Sequence, residues 1–138
     1  MKTHISINED PVTYETIQEF LKSPHSGAVL LFEGTVRNDV LSDGSAVQAL
    51  FYEAHVPMVH TETQRLFDEL QQQFPIHAIY FHHLIGNVPL GSTSIWLGIA
   101  AGHRKEAIEA QTWFLDEFKK CVPIWKKEMG DQIQNWII

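Results

Sequence analysis

The sequence has one cysteine, Cys121, so an internal disulfide is excluded. It has no long apolar run. Stretches such as 28–32 fall far short of the roughly 20 residues a bilayer-crossing helix needs, and none is expected. The opening residues, MKTHISINEDP, hold no apolar signal segment, which reads as an unexported, cytoplasmic protein. Positive charge is scarce: 10 Lys and Arg stand against 17 Asp and Glu, for a formal net charge of −7. That balance argues against broad binding to nucleic acid or an anionic membrane, both of which select a basic surface. No repeat, low-complexity tract or composition break marks a linker. What remains is an ordinary globular composition, 44% hydrophobic and 20% charged over 138 residues. A chain of that length forms one domain and buries about two-thirds of its unfolded surface.

Periodicity predicts interleaved strands and helices. Residues 4–7 alternate as a short strand. Asp10 reads as a cap and Pro11 as the first turn of a helix over 11–22, with Tyr14, Ile17, Phe20 and Leu21 at helical spacing. Pro24 ends it. An apolar run over 27–36 predicts a buried strand, followed by a polar loop over 37–46 with Asp43-Gly44 as its turn. A strand over 47–54, a helix over 59–74 and a strand over 76–84 follow. Gly86, Pro89 and Gly91 read as a turn region, and 94–101 as another strand. His103 opens the strongest helix, whose apolar face is drawn from Ala107, Ile108, Phe114, Leu115 and Phe118. Pro123 breaks it, and 133–138 reads as a terminal strand. Several strands look like hairpin neighbours, so the expected class is α+β with a mainly antiparallel sheet and three helices.

The few cations are unevenly placed. Six of the ten lie between 104 and 127: Arg104, Lys105, Lys119, Lys120, Lys126 and Lys127. An acidic chain that gathers its cations this way can build an anion pocket. His103 and Arg104 fall at a strand-to-helix junction, where free backbone N–H groups favour phosphate and a guanidinium adds a two-pronged donor. The plainer reading makes Arg104 and Lys105 solvated first-turn residues, and both stand on spacing alone. Lys119 and Lys120 sit in a last helical turn, where the helix dipole already accounts for them. Lys119 and Lys126 lie seven residues apart across Pro123 and can converge. Burial of one beside the other would make it a usable base or nucleophile. His82 and His83 are adjacent on a strand and point to opposite faces, so they form no chelate, and no metal site is expected. Cys121 lies on the apolar stripe and reads as a buried structural thiol. Phe32, Trp96, Trp113 and Trp125 read as core or interface aromatics.

Four segments in order, GAVLLFEGTVRN (27–38), LFYEAHVPM (50–58), GHRKEAIEA (102–110) and FKKCVPIWKKE (118–128), resemble the large, catalytic subunits of molybdopterin synthase. The resemblance runs over nearly the whole chain, as one large-subunit-like domain over 1–138. It implies an α/β-hammerhead fold and a homodimer, each protomer binding a small ubiquitin-like sulfur carrier to give a heterotetramer. It implies that the carrier's C-terminal Gly-Gly thiocarboxylate donates sulfur to cyclic pyranopterin monophosphate, making molybdopterin, with no cofactor resident in the protein. Matched residue by residue, Lys119 and Lys126 fall on the catalytic lysines, Lys126 also holding substrate. Arg37, His103 and Arg104 fall on anion-binding positions. Preorganised cations suit an anionic phosphate and an anionic thiocarboxylate alike. Three departures stand out. Leu84 replaces an arginine after His83, Ser92 replaces a glutamate after Gly91, and the sequence ends at Ile138, where many members bring in a further basic residue.

Arg104 and Lys119 are fifteen residues apart, about 22 Å on one continuous helix. One small substrate cannot touch both from a single chain. The expected site is therefore shared: His103 and Arg104 of one protomer face Arg37, Lys119 and Lys126 of its partner. The competing readings are a scaffold that binds the carrier tail and anions without chemistry, and a phosphate-ester hydrolase. The latter lacks an evident metal set or nucleophile–base pair.

Overall fold

The computed structural model describes residues 1–38, 48–129 and 134–137; the Asp43-Gly44 turn lies outside them. The chain order is β1 (Lys2–Asn8), α1 (Tyr14–Leu21), β2 (Ala28–Thr35), β3 (Ala49–Ala54), α2 (Val56–Gln73) and β4 (Ile76–Leu84). It continues with β5 (Gly86–Pro89), β6 (Thr93–Ala101), α3 (Arg104–Cys121), β7 (Ile124–Met129) and β8 (Gln134–Ile137). Two four-stranded sheets result, ordered β1-β4-β6-β2 and β5-β3-β7-β8. Among the described residues only the β1–β4 pairing is parallel. The class is α+β and mainly antiparallel, as periodicity predicts.

The first sheet carries helices on both faces, so both faces of β4 are buried. Its residues alternate across the sheet. Ala78 and Tyr80 join Trp96 and Ala100 against Ile17 and Leu21 of α1. Ile79 and Phe81 join Leu97 and Ile99 against α2 and α3, where Leu66, Phe67, Leu70, Phe114 and Phe118 complete the larger core. An aromatic cluster sits here: the Phe81 ring centroid lies 5.5 Å from that of Phe114 and 4.8 Å from that of Phe118.

Several boundaries and burial expectations shift for identifiable reasons. Helix α1 starts at Tyr14, not residue 11, because Thr13 is the cap: its hydroxyl accepts from the Thr16 amide at 3.2 Å. The Asp10 amide instead donates to the Asn8 side chain, closing off β1. Tyr14 is consequently exposed. On α3 the buried stripe is Ala107, Ala110, Phe114 and Phe118, while Ile108 is half exposed, one step of helical rotation too far round. Cys121 is exposed, not buried, because it ends the helix where the chain turns away at Val122. Trp125 is exposed too, whereas Trp96 is buried and Phe32 and Trp113 are partly buried. The expected turn after β4 contains a short strand, β5, paired with β3, and the tight bend falls at Gly91, whose φ is +81°. Strand β7, unmarked by any alternation in IWKKEM, forms because β3 offers it a pairing edge. Among the described residues, no helix is long and apolar enough to cross a membrane.

Candidate active site

The helix α3 runs unbroken from Arg104 to Cys121, so it holds its two charged ends apart as predicted. At its C-terminal end the Val122 amide donates to the Phe118 carbonyl at 3.0 Å, and Pro123 then redirects the chain into β7. Strand β7 pairs with β3 so that Lys126 stands opposite Tyr52. Residues directly opposite on paired strands project to the same face. The outcome is a cavity of about 250 Å³ lined by Tyr52, His83, Ser94, Phe118, Lys119 and Lys126, with Ile95, Val122 and Ile124 as apolar wall. The two lysines do converge. Lys119 is exposed at its mouth and Lys126 is half-buried. Lys120, by contrast, pairs with Glu117 at 3.5 Å on the helix surface.

Tyr52 and Ser94 were not singled out by sequence, and His83 was weighed only as a metal ligand and set aside. The His82-His83 pair does point to opposite faces, but only the packed sheet shows which face holds the lysines. His83 is buried, and its Nδ1 lies 2.7 Å from the Leu84 carbonyl oxygen. A carbonyl only accepts, so Nδ1 carries the proton and donates. The Tyr52 ring meets the imidazole edge-on at 4.9 Å, and the Phe118 ring stacks at 6.3 Å. Desolvation in this aromatic setting drives the His83 pKa down to about 4. Burial also raises the Tyr52 phenol, against the opposing effect of its hydrogen bond with Ser94. The Ser94 hydroxyl donates to the Gly34 carbonyl at 3.2 Å.

The depressed His83 pKa has a stability consequence. Below the unfolded value of 6.5 the unfolded chain takes up a proton that the folded chain refuses until about pH 4. Stability contributed by the neutral ring is therefore complete above pH 6.5 and is lost as pH falls towards 4, by about 3 kcal/mol for a shift of this size. His82, lowered chiefly by desolvation, and His4, lowered by burial, steepen the same slope. Urea unfolding of wild type and His83→Asn between pH 4.5 and 7 checks this, and an equally steep loss in both proteins contradicts it.

The other end of α3 makes a separate site. Gly27, Gly102, His103, Arg104 and Lys105 line an open depression of about 580 Å³. A side chain at Gly27 would place its Cβ 2.5 Å from the Gly102 carbonyl oxygen, so glycine is what allows β2 to come this close to the helix start. His103 is the N-cap residue but makes no side-chain cap hydrogen bond. Its imidazole, with Arg104, is exposed. Backbone donors, the helix dipole and a guanidinium thus share one opening fit for an anion. Arg37 lines neither cavity; it is exposed just beyond β2. Its neighbour Val36 packs in a cluster with Tyr52 and Ile124, both of the lysine cavity's lining, so Arg37 leaves the fold beside that cavity.

The departures Leu84 and Ser92 both line a third cavity, of about 410 Å³, with His82 and Trp96 on the other side of β4. Neither borders the lysines. Among the described residues, no group of three or more His, Cys, Asp or Glu side chains is placed to hold a metal ion.

Comparison with known proteins bears on this geometry. The MoaE protein family profile matches residues 7–121. A human protein named molybdopterin synthase catalytic subunit is 33% identical over 135 residues, covering 98% of this chain and 71% of that one. A Pyrococcus abyssi protein of the same name is 36% identical over 138 residues, covering 99% and 92%. The crystal structure of molybdopterin synthase from Staphylococcus aureus superposes with a TM-score of 0.88 at 30% identity, covering 96% of this chain and 95% of that one. A Helicobacter pylori structure, a complex of subunits 1 and 2 of molybdopterin-converting factor, shares the fold with a TM-score of 0.77 at 22% identity, covering 97% and 88%.

Proposed function

The chain belongs to the MoaE family, whose members include the catalytic subunits of molybdopterin synthase, and from that premise we propose how its residues carry the reaction. The protein is a sulfurtransferase of molybdenum cofactor biosynthesis. Sulfur passes from the C-terminal thiocarboxylate of a small ubiquitin-like carrier to cyclic pyranopterin monophosphate, and the carrier leaves as its carboxylate. The observation that carries this reading is the convergence of Lys119 and Lys126 on one cavity from two different elements. Helix-end electrostatics alone would explain a lysine at 119 but not its meeting with a lysine from β7.

Each group has a role its position supports. Lys119, at the mouth, stabilises charge and moves the proton as the acyl carbon of the carrier tail changes partners. Lys126, half-buried, holds and polarises substrate. Arg37, His103 and Arg104 grip the phosphate. Since α3 separates Arg104 from Lys119 by about 22 Å, His103 and Arg104 of one protomer serve Arg37, Lys119 and Lys126 of its partner. The working unit is then a homodimer flanked by two carriers, a heterotetramer. The proposal includes a cytoplasmic setting.

Purified protein incubated with thiocarboxylated carrier and the cyclic phosphate separates the alternatives. Dithiolene formation supports transfer, binding without turnover a scaffold, and phosphate release a hydrolase. The shared site is tested by mixing Arg104→Ala and Lys119→Ala chains. Each homodimer should be nearly inactive. Mixed dimers should regain roughly half the wild-type rate, having one intact site of two under two-fold symmetry. No recovery in verified mixed dimers would refute the shared site.

A further inference from the structure

His83 lines the cavity that Lys119 and Lys126 share. Its ring meets Tyr52, the cross-strand partner of Lys126, edge-on and stacks on Phe118, the residue before Lys119. All five line the same cavity. The ring is fixed there by the 2.7 Å hydrogen bond from Nδ1 to the Leu84 carbonyl. That bond settles the tautomer: the proton is on Nδ1, and Nε2 carries a lone pair. Among the described side chains lining the cavity, Nε2 is the sole nitrogen acceptor, and each lysine ammonium has three donors and no acceptor.

We propose that His83 is a positioning residue for the lysine pair, its Nε2 accepting a hydrogen bond from the ammonium of Lys119 or Lys126 and so setting where that charge stands in the cavity. The inference rests on reading the cavity as the sulfur-transfer site and adds a group outside the lysines and the phosphate grip. A lysine side chain is long and free to rotate, and a fixed acceptor at the cavity wall removes that freedom before substrate arrives. The titratable groups around the ring are Tyr52 on β3, Lys119 on α3, Lys126 on β7 and, across its own strand, His82; β6 contributes the uncharged Ser94. Among these neighbours only the lysines are cations at neutral pH. His83 itself stays neutral there, so it holds a lysine proton without removing it.

Two measurements on the full chain test this, and neither requires sulfur transfer. The first is the ¹⁵N resonance of the His83 imidazole. Nε2 should report a hydrogen-bonded, unprotonated nitrogen, and its shift should move in Lys119→Ala or in Lys126→Ala, whichever lysine is bound. The second is the acetylation rate of each lysine under trace labelling, read by peptide mass spectrometry. His83→Asn keeps a donor for the Leu84 carbonyl but removes the far nitrogen. It should free one lysine and speed its acetylation by up to about tenfold, the effect of one pKa unit on the free-amine fraction. His83→Gln reaches to the Nε2 position with an acceptor and should label nearly as wild type. An Nε2 resonance indifferent to both lysine substitutions overturns the proposal, as does unchanged labelling in a folded His83→Asn protein. If His83→Asn fails to fold, the resonance decides, since the lysine variants alter exposed or half-buried positions. A positive result beside absent transfer would retire the functional reading and leave the His83–lysine contact standing.

Discussion

Alanine at position 119 is expected to slow dithiolene formation by about 10²- to 10³-fold, the usual effect of removing one preorganised charge-stabilising group. Stability should hardly change, because Lys119 is exposed at the end of α3. A Tm within about 2 °C of wild type is the matching expectation. Carrier binding should also survive, since the variant leaves the rest of the cavity in place. Rate, Tm and carrier affinity measured on one preparation distinguish a lost catalytic group from a lost fold. Near wild-type turnover with thiocarboxylated carrier would remove Lys119 from the mechanism. Arginine at 119 keeps the charge but spreads it over a planar fork. It should recover only a small part of the rate if Lys119 moves a proton, and most of it if charge alone is needed.

Phe81→Ala should give the other large effect, on stability. The ring is completely buried and lies against both Phe114 and Phe118. Truncating a buried phenylalanine costs about 3–5 kcal/mol, part from lost transfer energy and part from the cavity left behind. For a chain of this size that corresponds to a fall in Tm of about 10–20 °C. Below the melting temperature the variant should still lose activity, because Phe118 stacks on His83 and precedes Lys119. Denaturant titration and a turnover assay at low temperature read the two effects separately. A cost under about 1 kcal/mol would mean that the aromatic cluster is not what joins α3 to the sheet.

Strand β4 and helix α3 show how far periodicity carries. Alternation over 76–84 marked β4 as a strand, and the spacing of Ala107, Phe114 and Phe118 marked the helix stripe. The same spacing wrongly drew in Ile108 and Cys121, because a stripe in sequence does not say how wide the opposing surface is or where it ends. The cap of α1 was misplaced for a related reason. Asp10 and Thr13 are both good caps, and the structure uses Thr13, whose hydroxyl accepts from the Thr16 amide.

The residues of the site divide along the same line. The gathering of six cations between 104 and 127, the helix start at His103 and the helical distance from Arg104 to Lys119 all depend on local order along the chain, so the sequence alone determined them. That Lys126 meets Lys119, that His83 rather than His82 lines their cavity, and that Tyr52 and Ser94 complete the wall were decided only in three dimensions. They depend on β7 pairing with β3 and on α3 covering one chosen face of β4. Pairing and layering join residues tens of positions apart, and no local propensity encodes which partners will meet.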